Sequence, residues 1–264
     1  MAGMTREALR REGEALRERL FGVPEAAALG LPAAGFGDLM AELAYGGIWA
    51  RPGLSVEDRM ACTLGVLTVV PNPAQLRRHV AAALRIGLAP QAVVEVLLQV
   101  GIYRGFAASE TALKVALGVF AERGIPAAEY GPGERADPLE ALMARGRALQ
   151  AALHGARKDE AHAAPDNPVT GSIYPLVVQH CYGEIWDRPG LPERLRALVA
   201  VSAFAALDHD PLLRKFALSA LNMGAARAEV IEAVVQIGPC AGFAFMLKGL
   251  SAVGEAFATL PPQV

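Results

Sequence analysis

Tyr45-Gly46-Gly47-Ile48-Trp49-Ala50-Arg51-Pro52-Gly53-Leu54 recurs as Tyr182-Gly183-Glu184-Ile185-Trp186-Asp187-Arg188-Pro189-Gly190-Leu191. The offset of 137 holds without a gap from Tyr45 to Ala107. Farther upstream, Glu7-Ala8-Leu9, Gly13, Ala15-Leu16, Leu20 and Gly22 match Glu140-Ala141-Leu142, Gly146, Ala148-Leu149, Leu153 and Gly155 at an offset of 133. Four residues are therefore inserted between Gly155 and Tyr182, in a polar stretch that includes Arg157 to Pro168. A loop absorbs such a change in length at little cost. One unit has been duplicated and fused, which predicts two related domains, residues 1–130 and 131–264.

Each unit reads as all-α. Leu9, Leu16 and Leu20 share one helical face, as do Leu142, Leu149 and Leu153. A second helix runs to Trp49 and stops at Arg51-Pro52-Gly53. Ser55 reads as the N-cap of a third, with Asp58 three residues on, and Pro71-Asn72-Pro73 breaks it. Leu76, His79, Val80, Ala83 and Leu84 form the apolar stripe of a fourth helix, ended at Gly87. Pro90 opens a fifth that runs to Gly101, and a sixth spans Ser109 to Ala121. Pro126 to Pro138 reads as the linker. No stretch alternates as a strand would.

Composition narrows the function classes. The chain has 264 residues, 53% of them apolar, and a formal net charge of −2. Its arginines are scattered, so there is no electrostatic footprint for nucleic acid. The mostly apolar runs, Val93 to Tyr103 and Leu198 to Leu207, are too short to span a bilayer, so no membrane partner is expected. The charged, amphipathic stretch from Thr5 to Leu20 has no apolar signal-peptide core, and a cytoplasmic location is expected. Cys62, Cys181 and Cys240 lie far apart, which signals neither a disulfide framework nor a thiolate metal site. Asp208-His209-Asp210 reads as a turn and cap, and no metal site is expected.

Several residues stand out chemically. The helix from Pro90 carries Glu95 and Gln99 one turn apart, with Tyr103 a further turn along if the helix continues; Glu232, Gln236 and Cys240 occupy the same steps in the second copy. A buried carboxylate needs a partner, and Arg59 and Arg196, retained in both copies, are the candidates. Arg51 and Arg188 are expected to bond helix-end carbonyls, and Trp49 and Trp186 to anchor the core. His79 lies on an apolar face, and its counterpart is Phe216, so chemistry needing the imidazole is kept in one copy only. His180 and Glu184, one turn apart, replace Leu43 and Gly47, and read as a surface pair or as a second-copy contribution to a pocket.

Trp-x-Arg-Pro-Gly-Leu, Arg59, Leu76-Arg77-Arg78-His79, Gly87, Glu95, Gln99 and Tyr103-x-Gly105-Phe106 together resemble the carboxymuconolactone decarboxylase family, a relative of the alkylhydroperoxidase D-like proteins. The resemblance implies a compact helical unit that assembles as a ring-like hexamer, and for a fused pair a homotrimer of six pseudo-equivalent units. The peroxidase branch uses Cys-x-x-Cys followed by a histidine four residues later. Here Asn72 and Gln75 precede His79 at those steps, and His209 and Leu212 precede Phe216, so the thiol relay of an oxidoreductase is disfavoured. The decarboxylase branch implies a lyase acting on a small carboxylate substrate of aromatic catabolism. It needs no cofactor, because the lactone carbonyl accepts the electrons that carbon dioxide leaves behind. On that reading His79 is the general acid/base with a pKa near neutrality, and Arg59 or Arg77 anchors the anion. Glu95 then orients one of these, Tyr103 lines the pocket, and Gln99, Trp49 and His180 complete the substrate-binding candidates. A non-catalytic helical assembly is the other reading.

Overall fold

The structure, a computed structural model, describes residues 5–22, 35–126, 137–160, 163–164 and 166–261. Among these residues all regular structure is helical. The first half contains α1 (Arg6–Phe21), α2 (Phe36–Leu39, running on as the π-helical Met40–Trp49), α3 (Val56–Val69), α4 (Pro73–Arg85), α5 (Pro90–Arg104) and α6 (Phe106–Glu122). The second contains α7 (Leu139–His154), α8 (Tyr174–Leu176, running on as the π-helical Val177–Trp186), α9 (Glu193–Ala206), α10 (Asp210–Asn222), α11 (Arg227–Val235), α12 (Gly238–Ala241) and α13 (Phe243–Ala258). The expected linker lies mostly outside the described residues.

The punctuation works as its chemistry requires. Ser55 Oγ accepts from the Asp58 backbone N–H at 3.0 Å, and Asn72 Oδ1 accepts from that of Gln75 at 3.1 Å. His209 caps α10 in the same way, accepting from Leu212 N–H. After Trp49 and Trp186 the chain turns through Gly53 and Gly190, both at φ +95, where a side chain would be strained. The fifth helix runs past Gly101 to Arg104, one turn longer than the sequence pattern suggested. In the second half the same helix is interrupted: Pro239, replacing Ile102, opens the short α12 because proline cannot continue the ladder behind it. That break positions Cys240.

Gly13 and Gly46, matched by Gly146 and Gly183, hold the first two helices of each half together. A Cβ on Gly13 would stand 2.0 Å from the Ala41 carbonyl oxygen, and one on Gly146 2.1 Å from that of Val178. The two halves then meet through α3 and α9. Leu191, Val199 and Ala203 join the core of the first half, while Leu54, Cys62 and Val66 join that of the second. No helix is long and apolar enough to cross a membrane among the described residues.

Polar groups bridge the halves reciprocally. Glu232 accepts from Arg51 Nη2 at 2.6 Å and from Arg59 Nη2 at 2.7 Å. Glu95 accepts from Arg188 Nε at 3.0 Å and from Arg196 Nη2 at 2.9 Å. Arg59 Nη2 also donates to the Arg51 carbonyl oxygen, and Arg196 Nη2 to that of Arg188. The expectation for Arg51 and Arg188 is thus corrected. They bond the carboxylates of the opposite half, and the helix-end carbonyls are satisfied by Arg59 and Arg196 instead. A guanidinium with two oxygens in reach pairs with a carboxylate more strongly than with one carbonyl.

Candidate active site

The two halves differ where His79 and Phe216 stand. His79 is buried on α4, and its Nδ1 lies 2.8 Å from the Gln75 carbonyl oxygen. A carbonyl only accepts, so Nδ1 carries the proton and Nε2 presents a lone pair. Burial pushes the His79 pKa down to about 4, the Gln75 carbonyl opposing this and the Arg78 charge reinforcing it. The imidazole is therefore neutral at pH 7, not poised near neutrality as the family resemblance implied. Around it Phe21 meets the ring edge-on at 5.4 Å, and Trp49 stacks at 6.4 Å with Tyr45 beyond it.

A cavity of about 590 Å³ opens beside these rings. Tyr45, Trp49, Asn72, Gln75 and His79 supply its polar groups, and Leu67 and the exposed Phe36, Leu39 and Leu43 much of its apolar wall. The second half closes it with Pro239, Cys240 and Phe243. Burial pushes the Cys240 thiol up to about 12, so it stays protonated. No described lining residue carries a fixed charge.

Three polar atoms in this wall have no hydrogen-bond partner among the described residues: the Tyr45 hydroxyl, Trp49 Nε1–H and His79 Nε2. All three side chains are at most 5% exposed. The three atoms themselves are not sealed from solvent, whereas the Tyr45 and Trp49 counterparts are paired within the protein. The Tyr182 hydroxyl meets His154 Nε2 at 3.0 Å, and Trp186 Nε1 donates to the Tyr103 hydroxyl at 2.9 Å. Phe216 has nothing to satisfy.

The second half is filled as well as satisfied. Phe204, Tyr103 and Phe216 stand where the first half has Leu67, Cys240 and His79. Their rings pack at 4.6 Å (Tyr103–Phe204) and 4.9 Å (Phe204–Phe216). Histidine and phenylalanine have also exchanged places: Phe21 leans on His79, and its counterpart His154 leans on Phe216 at 5.1 Å. His154 is wholly buried, with Nδ1 held 2.8 Å from Ser219 Oγ. The sequence carried a signal for this exchange, since Phe21 and His154 sit between the matched Leu20/Leu153 and Gly22/Gly155 pairs.

The structure brings His79 and Trp49 together and separates the remaining candidates from them. Glu95 and Arg59 lie in the two bridges between the halves, each committed to partners there. Gln99 donates to the Arg196 carbonyl oxygen at 2.7 Å and to the Tyr103 hydroxyl at 3.1 Å. Tyr103 lies in the filled half, not beside His79, because α5 of one half reaches the rings of the other. Arg77 is exposed and pairs with Glu122, and His180 is partly exposed and pairs with Glu184 at 2.9 Å. Tyr45 and the second-half wall of Pro239, Cys240 and Phe243 were not foreseen.

The His79 pKa has a measurable consequence. Its folded value of about 4 lies below the ordinary 6.5, so between these values the unfolded chain binds the proton more readily. The stability gained from a neutral His79 is complete above about pH 6.5 and is lost as pH falls toward 4, amounting to about 3 kcal/mol. In urea unfolding from pH 4 to 7, His79→Phe should lack this component. Parallel curves for the two proteins would show that His79 is not held neutral.

Comparisons with known proteins identify one family in both halves. The profile of the carboxymuconolactone decarboxylase family matches residues 34–117 and again 172–255. A 4-carboxymuconolactone decarboxylase of Acinetobacter baylyi is 32% identical over 90 residues, which cover 34% of this chain and 67% of that protein. An uncharacterized 15.0 kDa protein of Paracoccus denitrificans is 34% identical over 86 residues, covering 31% of this chain and 63% of its own length. Both halves of the chain carry the helical unit, and the protein belongs to the carboxymuconolactone decarboxylase family as a tandem duplicate.

Proposed function

We propose that the His79 cavity is a cofactor-free active site that releases carbon dioxide from a small carboxylated lactone or a related ring acid. The observation that carries this reading is the trio of solvent-accessible atoms without a partner among the described residues, Tyr45 OH, Trp49 Nε1–H and His79 Nε2, whose counterparts are paired or apolar. The likeness to a 4-carboxymuconolactone decarboxylase supports the substrate class.

With Arg59 and Arg77 engaged elsewhere, the Asn72 and Gln75 side-chain amides are the polar groups left to meet the carboxylate. An anion entering beside His79 favours protonation of that base against the nearby Arg78 charge, so His79 Nε2 takes up a proton as substrate binds. The carbon–carboxylate bond then breaks, carbon dioxide departs, and the electron pair passes into the ring carbonyl as a dienolate. Trp49 N–H and the Tyr45 hydroxyl are the donors available to that oxygen. His79 Nε2–H returns its proton to the ring carbon. Each turnover consumes one proton and releases one carbon dioxide.

Incubation with 4-carboxymuconolactone should show loss of substrate matched by released carbon dioxide, and an inert enzyme would dismiss this substrate. Binding of an unreactive carboxylate analogue at pH 7 should draw about one proton per cavity from solution. Calorimetry in buffers of different ionisation enthalpy reads this directly, and no uptake would remove His79 from the proton-donor role.

A further inference from the structure

We propose that Tyr103 is a built-in image of the ligand: the His79 cavity takes a flat ring of phenol size whose oxygen accepts the Trp49 Nε1–H bond. The inference rests on the reading of that cavity as the active site and adds the shape and polarity of what enters it. In the filled half, Trp186 Nε1 donates to the Tyr103 hydroxyl at 2.9 Å, and the phenol ring lies 4.6 Å from Phe204 and 6.3 Å from Phe216. The gapless offset makes Trp49, Leu67, His79 and Cys240 the equivalents of Trp186, Phe204, Phe216 and Tyr103.

Replacing tyrosine by cysteine at that step removes a phenol ring and leaves its hydrogen-bond donor behind. Trp49 is 2% exposed, lines the cavity and has no partner for its N–H among the described residues. Cys240, short and protonated, lines the same cavity and leaves the space open. The oxygen position is carried over from the twin by the sequence offset, across the helix break before Cys240, and Trp49 is the binding residue for it. A ring without that oxygen would leave the buried N–H unsatisfied, a cost that converts to discrimination of about five- to tenfold.

Phenol and toluene, nearly equal in size, separate the hydrogen bond from the shape. In equilibrium dialysis the phenol-to-toluene affinity ratio of the intact protein should exceed that of Trp49→Phe by about five- to tenfold, a comparison in which the greater desolvation cost of phenol cancels. Cys240→Tyr should abolish binding of both, and it places at Cys240 the side chain its twin already accommodates. A phenol-to-toluene ratio that Trp49→Phe leaves unchanged would overturn the proposal. Should Cys240→Tyr not fold, the Trp49→Phe ratio still decides. Inertness toward carboxylated lactones with the Trp49-dependent phenol-to-toluene ratio intact would dismiss the proposed reaction and leave this inference standing.

Discussion

His79→Phe is expected to lower turnover of a carboxylated lactone by about 10²–10⁴-fold, the range for removing a positioned general acid/base. The same variant should unfold cooperatively, with a stability at pH 7 close to that of the parent. The second half already demonstrates the substitution, since Phe216 sits on α10 against Trp186 at 6.0 Å and against the edge of His154. A phenyl ring keeps the bulk and the apolar face but supplies no lone pair at the Nε2 position. The Gln75 carbonyl loses a side-chain partner, although it remains within α4. Steady-state rates beside urea melts separate the two effects. Turnover within a few-fold of the parent would dismiss His79 from the chemistry, and a collapse of stability would assign it to the scaffold.

Glu95→Ala is expected to act in the opposite way, costing about 3–5 kcal/mol of stability, the range for breaking a buried pair. Glu95 is wholly buried and accepts from Arg188, Arg196 and Gln91 at 2.6 to 3.0 Å. Its loss strands the Arg196 guanidinium, itself wholly buried, with its charge unanswered. Against a total stability of about 5–15 kcal/mol for an ordinary domain, the loss is severe. Arg77→Ala is the natural control, because Arg77 and Glu122 are both about half exposed and such pairs contribute at most about 1 kcal/mol. Urea midpoints for the two variants should therefore differ widely. A Glu95→Ala midpoint as mild as that of Arg77→Ala would mean that the bridge relaxes around the missing carboxylate.

Much of the fold was legible because it is local. Proline, glycine and capping side chains fix where helices stop, and the repeat doubles each signal. The retained Arg59/Arg196 and Glu95/Glu232 pairs pointed to buried ion pairs. Their crossing between halves could not be read, because reciprocity is a property of packing rather than of order along the chain. The site was legible only at His79 and Trp49. Tyr103 looked like its neighbour by spacing within one copy, yet α5 delivers it to the other. Cys240, which does face the His79 cavity, looked like the degenerate member of the pair. Divergence between copies marks the cavity for which a function is proposed, and the Tyr103/Cys240 difference had to be assigned to the opposite half.

The crossed bridges also change how the cavity depends on protein concentration. Two separate chains sharing such an interface would obey mass action, and dilution would strip Pro239, Cys240 and Phe243 from the His79 wall. Within one chain the same surfaces meet at a fixed effective concentration. Arg59 with Glu232 and Glu95 with Arg196 become internal fastenings, indifferent to how much protein is present. One cavity can then close permanently around Tyr103 while the other stays open, with no identical subunit obliging the two to match.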